Sequence, residues 1–169
     1  FKMGPVVAAE IDYSFSTTEV LARGTLPEIC FSKKVRETER LLLSYAANYL
    51  KEEIKAEALT RNLESFARFL NEAVLSVAQF IDLTKIAKKT KISRHAVPRY
   101  FEILEDTLIG YRIHPFSPLV EAQDLIRHPK FYLFDNGVYN GMLGNFVPSQ
   151  DRLGVLAEQT VFSQLLHSA

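Results

Sequence analysis

Six basic side chains, Lys85, Lys88, Lys89, Lys91, Arg94 and Arg99, fall within residues 83–101 with no acidic residue among them. A local excess of cations suits the neutralisation of closely spaced phosphates, such as those along a duplex. His95 lies inside the run, and Arg127, His128 and Lys130 follow at a distance. The candidate DNA-contacting residues are therefore Lys85, Lys88, Lys89, Lys91, Arg94, His95, Arg99 and Arg127. The same pattern also describes the solvated face of a docking module, and the sequence leaves both readings open. Glu102, Glu105 and Asp106 end the basic run, which confines any contact with base edges to the residues before them.

Other chemistries need constellations that this chain does not assemble. The seven glycines, at 4, 24, 110, 137, 141, 144 and 154, form neither G-x-x-x-x-G-K-S/T nor G-x-G-x-x-G, so no loop is built to cradle a nucleotide phosphate. His95, His114, His128 and His167 are scattered, H-E-x-x-H does not occur, and Cys30 is the only cysteine. No metal site of familiar ligand spacing results. A G-x-S-x-G nucleophile elbow is also missing. Glu158 together with Asp135 keeps a nuclease reading open, although two-metal hydrolysis needs more convergent carboxylates and a lysine. No catalytic, cofactor-binding or metal-ligating residue is assigned.

The basic run needs a scaffold, and periodicity supplies one. Asp82 is placed to cap a helix whose apolar residues Leu83, Ile86 and Ala87 fall at i, i+3 and i+4. Ser93 is placed to cap a second, with Val97, Tyr100, Phe101 and Leu104 as its inward stripe. Pro98 cannot donate to the carbonyl of Arg94 and crowds it, so this helix must kink or start late. Alternation with period two over residues 108–114 predicts a strand. The apolar run 130–134 predicts another, followed by a turn at Asp135-Asn136-Gly137. Helix, turn, helix and two strands around a long tip is the pattern of a winged helix-turn-helix. Upstream, the spacing predicts a short helix near 18–23 and a six-turn amphipathic helix over 33–58. Asn62 should cap an antiparallel partner lined by Leu63, Phe66, Leu70 and Val74 and running to 78. Downstream, a short helix is predicted over 137–143. Leu153, Ala157, Val161 and Leu165 line a last one to about 167.

With 169 residues, 47% of them hydrophobic, the chain can bury a sizeable core as one large domain or two small ones. Twenty basic and twenty acidic residues cancel, so any bias toward nucleic acid is local. No apolar run approaches the ~20 residues that span a bilayer, and no signal peptide is expected from these residues. With a single cysteine, these features fit a cytoplasmic protein that does not enter a membrane. A chain opening at Phe1 and closing at Ala169 directly after an apolar helical pattern is expected to be a segment of a longer one.

Four stretches occur in an order and spacing that resembles the C-terminal region of prokaryotic AAA-type P-loop ATPases. They are RGTLPEI (23–29), LLLSYAANYLKEEIKAEALTRNLESFARFL (41–70), YFEILEDTLIGYRIHPF (100–116) and KFYLFDNGVYN (130–140). The resemblance covers nearly the whole chain. It implies a mainly α fold with a small β component (α+β). Residues 1–80 would form a helical linker and helix pair, 81–134 the winged helix-turn-helix, and 135–169 the start of an α/β nuclease-like domain. It also implies a parent that uses ATP and magnesium, an upstream ATPase domain as intramolecular partner, and room for oligomerisation. The function expected is that of a noncatalytic part of such an ATPase, carrying a module for DNA binding or docking. A stand-alone transcription regulator and a fragment of a nuclease-like enzyme are the alternatives. Because the phosphate-cradling loop is missing, calorimetric titration of this chain with Mg-ATP is expected to be flat, and a stoichiometric micromolar isotherm would overturn that expectation.

Overall fold

Stripes with a period near 3.6 become helices in the computed structural model, which describes residues 4–32, 34–49, 63–116 and 128–168. In chain order the elements are α1 (Thr17–Arg23), α2 (Pro27–Cys30), α3 (Val35–Ser44), α4 (Leu63–Leu75), α5 (Leu83–Thr90), α6 (Ala96–Asp106), β1 (Gly110–Ile113), β2 (Lys130–Leu133), α7 (Asn136–Leu143) and α8 (Leu153–His167). A single 3-10 turn, Ala8–Ile11, precedes α1. Among the described residues the chain is mainly helical, with β1 and β2 paired in a small antiparallel sheet. This is the expected α+β class. Two compact units divide it. Unit 1 joins Phe1–Arg61 to Leu133–Ala169, and unit 2 is Asn62–Tyr132.

That division differs from the three-part expectation. The helix expected to pair with its upstream neighbour, α4, falls in unit 2 with α5 and α6. The stretch 135–169, expected to open an α/β domain, supplies α7 and α8 to unit 1. The predicted six-turn helix is α-helical only as far as Ser44 and then widens into a π-helical turn, Tyr45–Tyr49. The rest of it, and the expected cap at Asn62, lie outside the described residues.

Unit 2 is built on aromatic side chains. Phe69 of α4, Phe101 of α6 and Phe131 of β2 are fully buried. Their rings meet edge to face: Phe69–Phe101 at 4.8 Å and 88°, Phe101–Phe131 at 5.1 Å and 68°. The ring quadrupole favours this geometry by ~0.5–1.5 kcal/mol per pair beyond burial itself. Gly110 makes room for it, since a β-carbon there would stand 2.7 Å from the Phe131 ring. The helix α4 stops three residues short of the predicted end because Ala78 turns into the left-handed region (φ 59°) and donates its N–H to the Phe131 carbonyl at 2.8 Å. The strand predicted from Leu108 begins only at Gly110, because Leu108 (φ 59°) and Ile109 close α6 through N–H bonds to Glu105 and Leu104. A bidentate Arg112–Glu105 pair, at 2.8 and 2.6 Å, then ties β1 to α6. The guanidinium holds the Glu105 carboxyl below its ordinary value.

Unit 1 closes around α7. Instead of the predicted turn, Asp135-Asn136-Gly137 starts a helix, with the Asp135 carboxylate accepting from the Val138 N–H at 3.1 Å and from the Thr25 N–H at 2.8 Å. Asn140 donates to the carbonyls of Leu21 and Ala22 at 2.9 and 2.8 Å, satisfying two orphan acceptors at the end of α1. Gly137 packs its Cα side against the Arg23 carbonyl, and Gly141 against that of Leu42. Ile29, Leu42 and Val138 form the apolar core beside these contacts.

The face of α8 is the reverse of the predicted one. Leu153, Ala157, Val161 and Leu165 are exposed, whereas Leu156, Gln159 and Ser163 are buried. The Gln159 amide bonds both backbone groups of Leu133, Ser163 donates to the Phe134 carbonyl, and Gln164 pairs with Val6 and Ala8. The buried side is polar because its work is to satisfy backbone groups of neighbouring segments.

Gly137→Ala is expected to destabilise unit 1 by ~1–3 kcal/mol in urea denaturation, as overpacking does. Gly154→Ala, whose β-carbon would meet open space in α8, is expected to be neutral or stabilising by ~0.5–1 kcal/mol.

Candidate nucleic-acid interface

The basic surface of unit 2 rests on how α5 begins and how α6 begins. Asp82 caps α5 as predicted, its Oδ1 accepting from the backbone of Thr84 at 2.8 Å and of Lys85 at 3.1 Å. Those bonds hold its carboxyl below the ordinary value. Ile86, Ala87 and Thr90 turn inward, and Lys85, Lys88 and Lys89 outward. Lys91 then enters the left-handed region (φ 55°) and ends the helix with an N–H bond to Ala87.

Ser93 does not cap α6, contrary to the sequence expectation. Its carbonyl accepts from the Ala96 N–H at 2.9 Å, and His95 stands at the cap position without a side-chain bond. The helix starts late rather than kinking. Pro98 therefore becomes its third residue, in the first turn, where an N–H has no helical acceptor and its loss costs nothing. Val97, Tyr100, Phe101 and Leu104 are buried as expected.

Of the eight candidates, Lys85, Lys88, Lys91, Arg94, His95 and Arg99 are brought to the exposed surface of α5, the turn and the start of α6. Lys85, Lys88, Lys91, Arg94 and Arg99 have no ion-pair partner among the described residues. Lys89 is exposed too but is paired with Glu72 of α4, so its charge is already compensated. Nothing local in the sequence signals that pairing across 17 positions. Arg127 lies outside the described residues. Of the described carboxylates of unit 2, Glu64 pairs with Arg68, Glu72 with Lys89 and Glu105 with Arg112, Asp82 caps α5, and Glu102 and Asp106 are exposed beyond Arg99 on α6.

Unit 1 offers weaker chemistry. Asp135 is 1% exposed and burial pushes its carboxyl up to about 6, but its oxygens serve backbone N–H groups. Among the described residues no three His, Cys, Asp or Glu side chains converge as metal ligands. A groove of about 850 Å³ reaches Arg23 and Cys30. Arg23 is paired with Glu19 at 3.0 Å, and burial pushes the Cys30 thiol up to about 11, leaving it protonated at neutral pH. No helix among the described residues is long and apolar enough to cross a membrane.

The two caps give a direct contrast. Asp82→Ala is expected to lower the denaturation midpoint of unit 2, and Ser93→Ala to leave it within error of the parent. Equal losses in the two variants would mean that α6 starts at Ser93 after all.

A search of curated proteins and one of solved structures returned no match. A family model described as a domain of unknown function, DUF8612, matches residues 15–149. The match takes in all of unit 2 and parts of both segments of unit 1, from before α1 to beyond α7. The chain belongs to the DUF8612 family.

Proposed function

We propose that residues 62–132 act as a winged helix-turn-helix that holds nucleic acid by its phosphates, within the noncatalytic C-terminal part of a prokaryotic AAA-type ATPase. The observation that carries this reading is the cluster of five exposed cations, Lys85, Lys88, Lys91, Arg94 and Arg99, that have no ion-pair partner among the described residues of the unit. Cations left unpaired in the folded state keep their full attraction for a line of phosphates. Base readout is poor in this reading, because the exposed face of α6 turns acidic at Glu102, one turn after Arg99. The four stretches that resemble the ATPase family support the parent. There ATP and magnesium belong to an upstream domain, which is also the partner of unit 1, and the setting is the cytoplasm.

Fluorescence anisotropy on a labelled duplex across a salt series tests it. Five phosphate contacts give a log affinity against log salt slope of about −4 to −5, with little dependence on sequence. Lys88→Glu/Arg94→Glu is expected to abolish binding in dilute buffer. Glu72→Gln, which releases Lys89, is expected to steepen the slope by about 0.9. Binding by the double variant equal to the parent, or no binding at low salt, would make the basic surface a solvated face and the unit a docking module.

A further inference from the structure

Unit 1 contains a recess of about 10 Å³, large enough for one water molecule, lined by Thr25, Asp135, Asn136, Thr160, Ser163 and Gln164 among others. Hydrogen-bond acceptors dominate its walls. Asn136 is 3% exposed, and its Nδ2 donates to the Leu156 carbonyl at 3.0 Å and to Thr160 Oγ1 at 2.6 Å. Its Oδ1 is buried with no hydrogen-bond partner among the described residues. Thr160 has already given its hydroxyl proton to the Leu156 carbonyl, and Ser163 its own to the Phe134 carbonyl. The Asp135 oxygens and Gln164 Oε1 accept from backbone N–H groups. An occupant of this recess must therefore bring protons, and an acceptor taken from water without a donor is costly.

We infer that a single buried water occupies the recess, donating to Asn136 Oδ1 and to a second lining oxygen, and so bridging the segment after α1, the first turn of α7 and the buried face of α8. Asn136 already ties the first turn of α7 to α8, since both hydrogens of its Nδ2 are committed there. The water supplies a third hydrogen bond to a side chain whose two donors are already fixed. This site is independent of phosphate binding by unit 2.

A high-resolution crystal structure of the chain, grown once with sodium and once with sodium and potassium replaced by an organic cation, gives the direct test. The expected result is one peak within hydrogen-bond distance of Asn136 Oδ1 in both crystals, no anomalous signal there after a thallium soak, and a long-lived water signal to nearby amides in solution NMR. Loss of the peak on replacing sodium, or a thallium signal, would make the occupant a monovalent cation and overturn the inference. So would Asn136 Oδ1 bonded to a protein donor. In Asn136→Leu the peak should vanish; if that variant does not fold, the parent crystals and the NMR signal decide the question alone.

Discussion

Backbone N–H and C=O groups buried where no sheet runs must be satisfied by side chains, and unit 1 is shaped by that requirement. Its two stretches of chain are separated in sequence by the whole of unit 2. Asp135 takes the Thr25 N–H, and Asn140 reaches the carbonyls of Leu21 and Ala22 from the other stretch. These bonds form only if the backbones approach closely, which Gly137 and Gly141 permit. Arg152 adds a further tie: its guanidinium bonds Asn140 Oδ1 at 2.5 Å and the carbonyls of Asn145 and Val147, which fastens the loop before α8. The apolar core of Ile29, Leu42 and Val138 fills in beside this polar framework.

Unit 2 follows a different logic. Its core is a run of edge-to-face rings that also encloses Ser65 and Thr90, and its charged side chains lie outside that core. An Arg–carboxylate pair stiffens the junction of α6 and β1, and the Glu72–Lys89 pair links α4 to α5. Among the described residues, five cations without an ion-pair partner sit on α5, the turn and the start of α6, and the unpaired Glu102 and Asp106 follow further along α6. Rigid support beneath a local excess of cations is the arrangement that electrostatic recognition needs, since preorganised charges are not diverted by their own neighbours.

The helices of unit 2 were legible because their stripes are unambiguous: Val97, Tyr100, Phe101 and Leu104 have no competing apolar side. The Asp82 cap was legible for the same local reason, a short acceptor just ahead of the periodic residues. The start of α6 was harder, because Ser93 looks like a cap while the first-turn tolerance for Pro98 shifts the helix by two residues, to a cap at His95. In α8 both faces are apolar enough to be read as core. The decision between them was made by the unsatisfied groups of Leu133 and Phe134, which lie some 26 to 29 positions away and leave no periodic trace. Asp135-Asn136-Gly137 reads as a turn because those residue types serve turns and helix caps alike. Of the candidate surface, the identity and exposure of the cations were legible, and the neutralisation of Lys89 by a distant glutamate was not.

The Gln159 amide bonds both the N–H and the carbonyl of Leu133, as a neighbouring strand would. A residue of β2 would otherwise offer that pair of groups to any extended segment that came by, including the same segment of another molecule. One glutamine side chain thus terminates a ladder that could propagate from chain to chain. The polar face of α8 also closes the end of β2, adding to the Pro129 ring and the Lys130 charge at the strand's start, which themselves discourage edge-to-edge pairing.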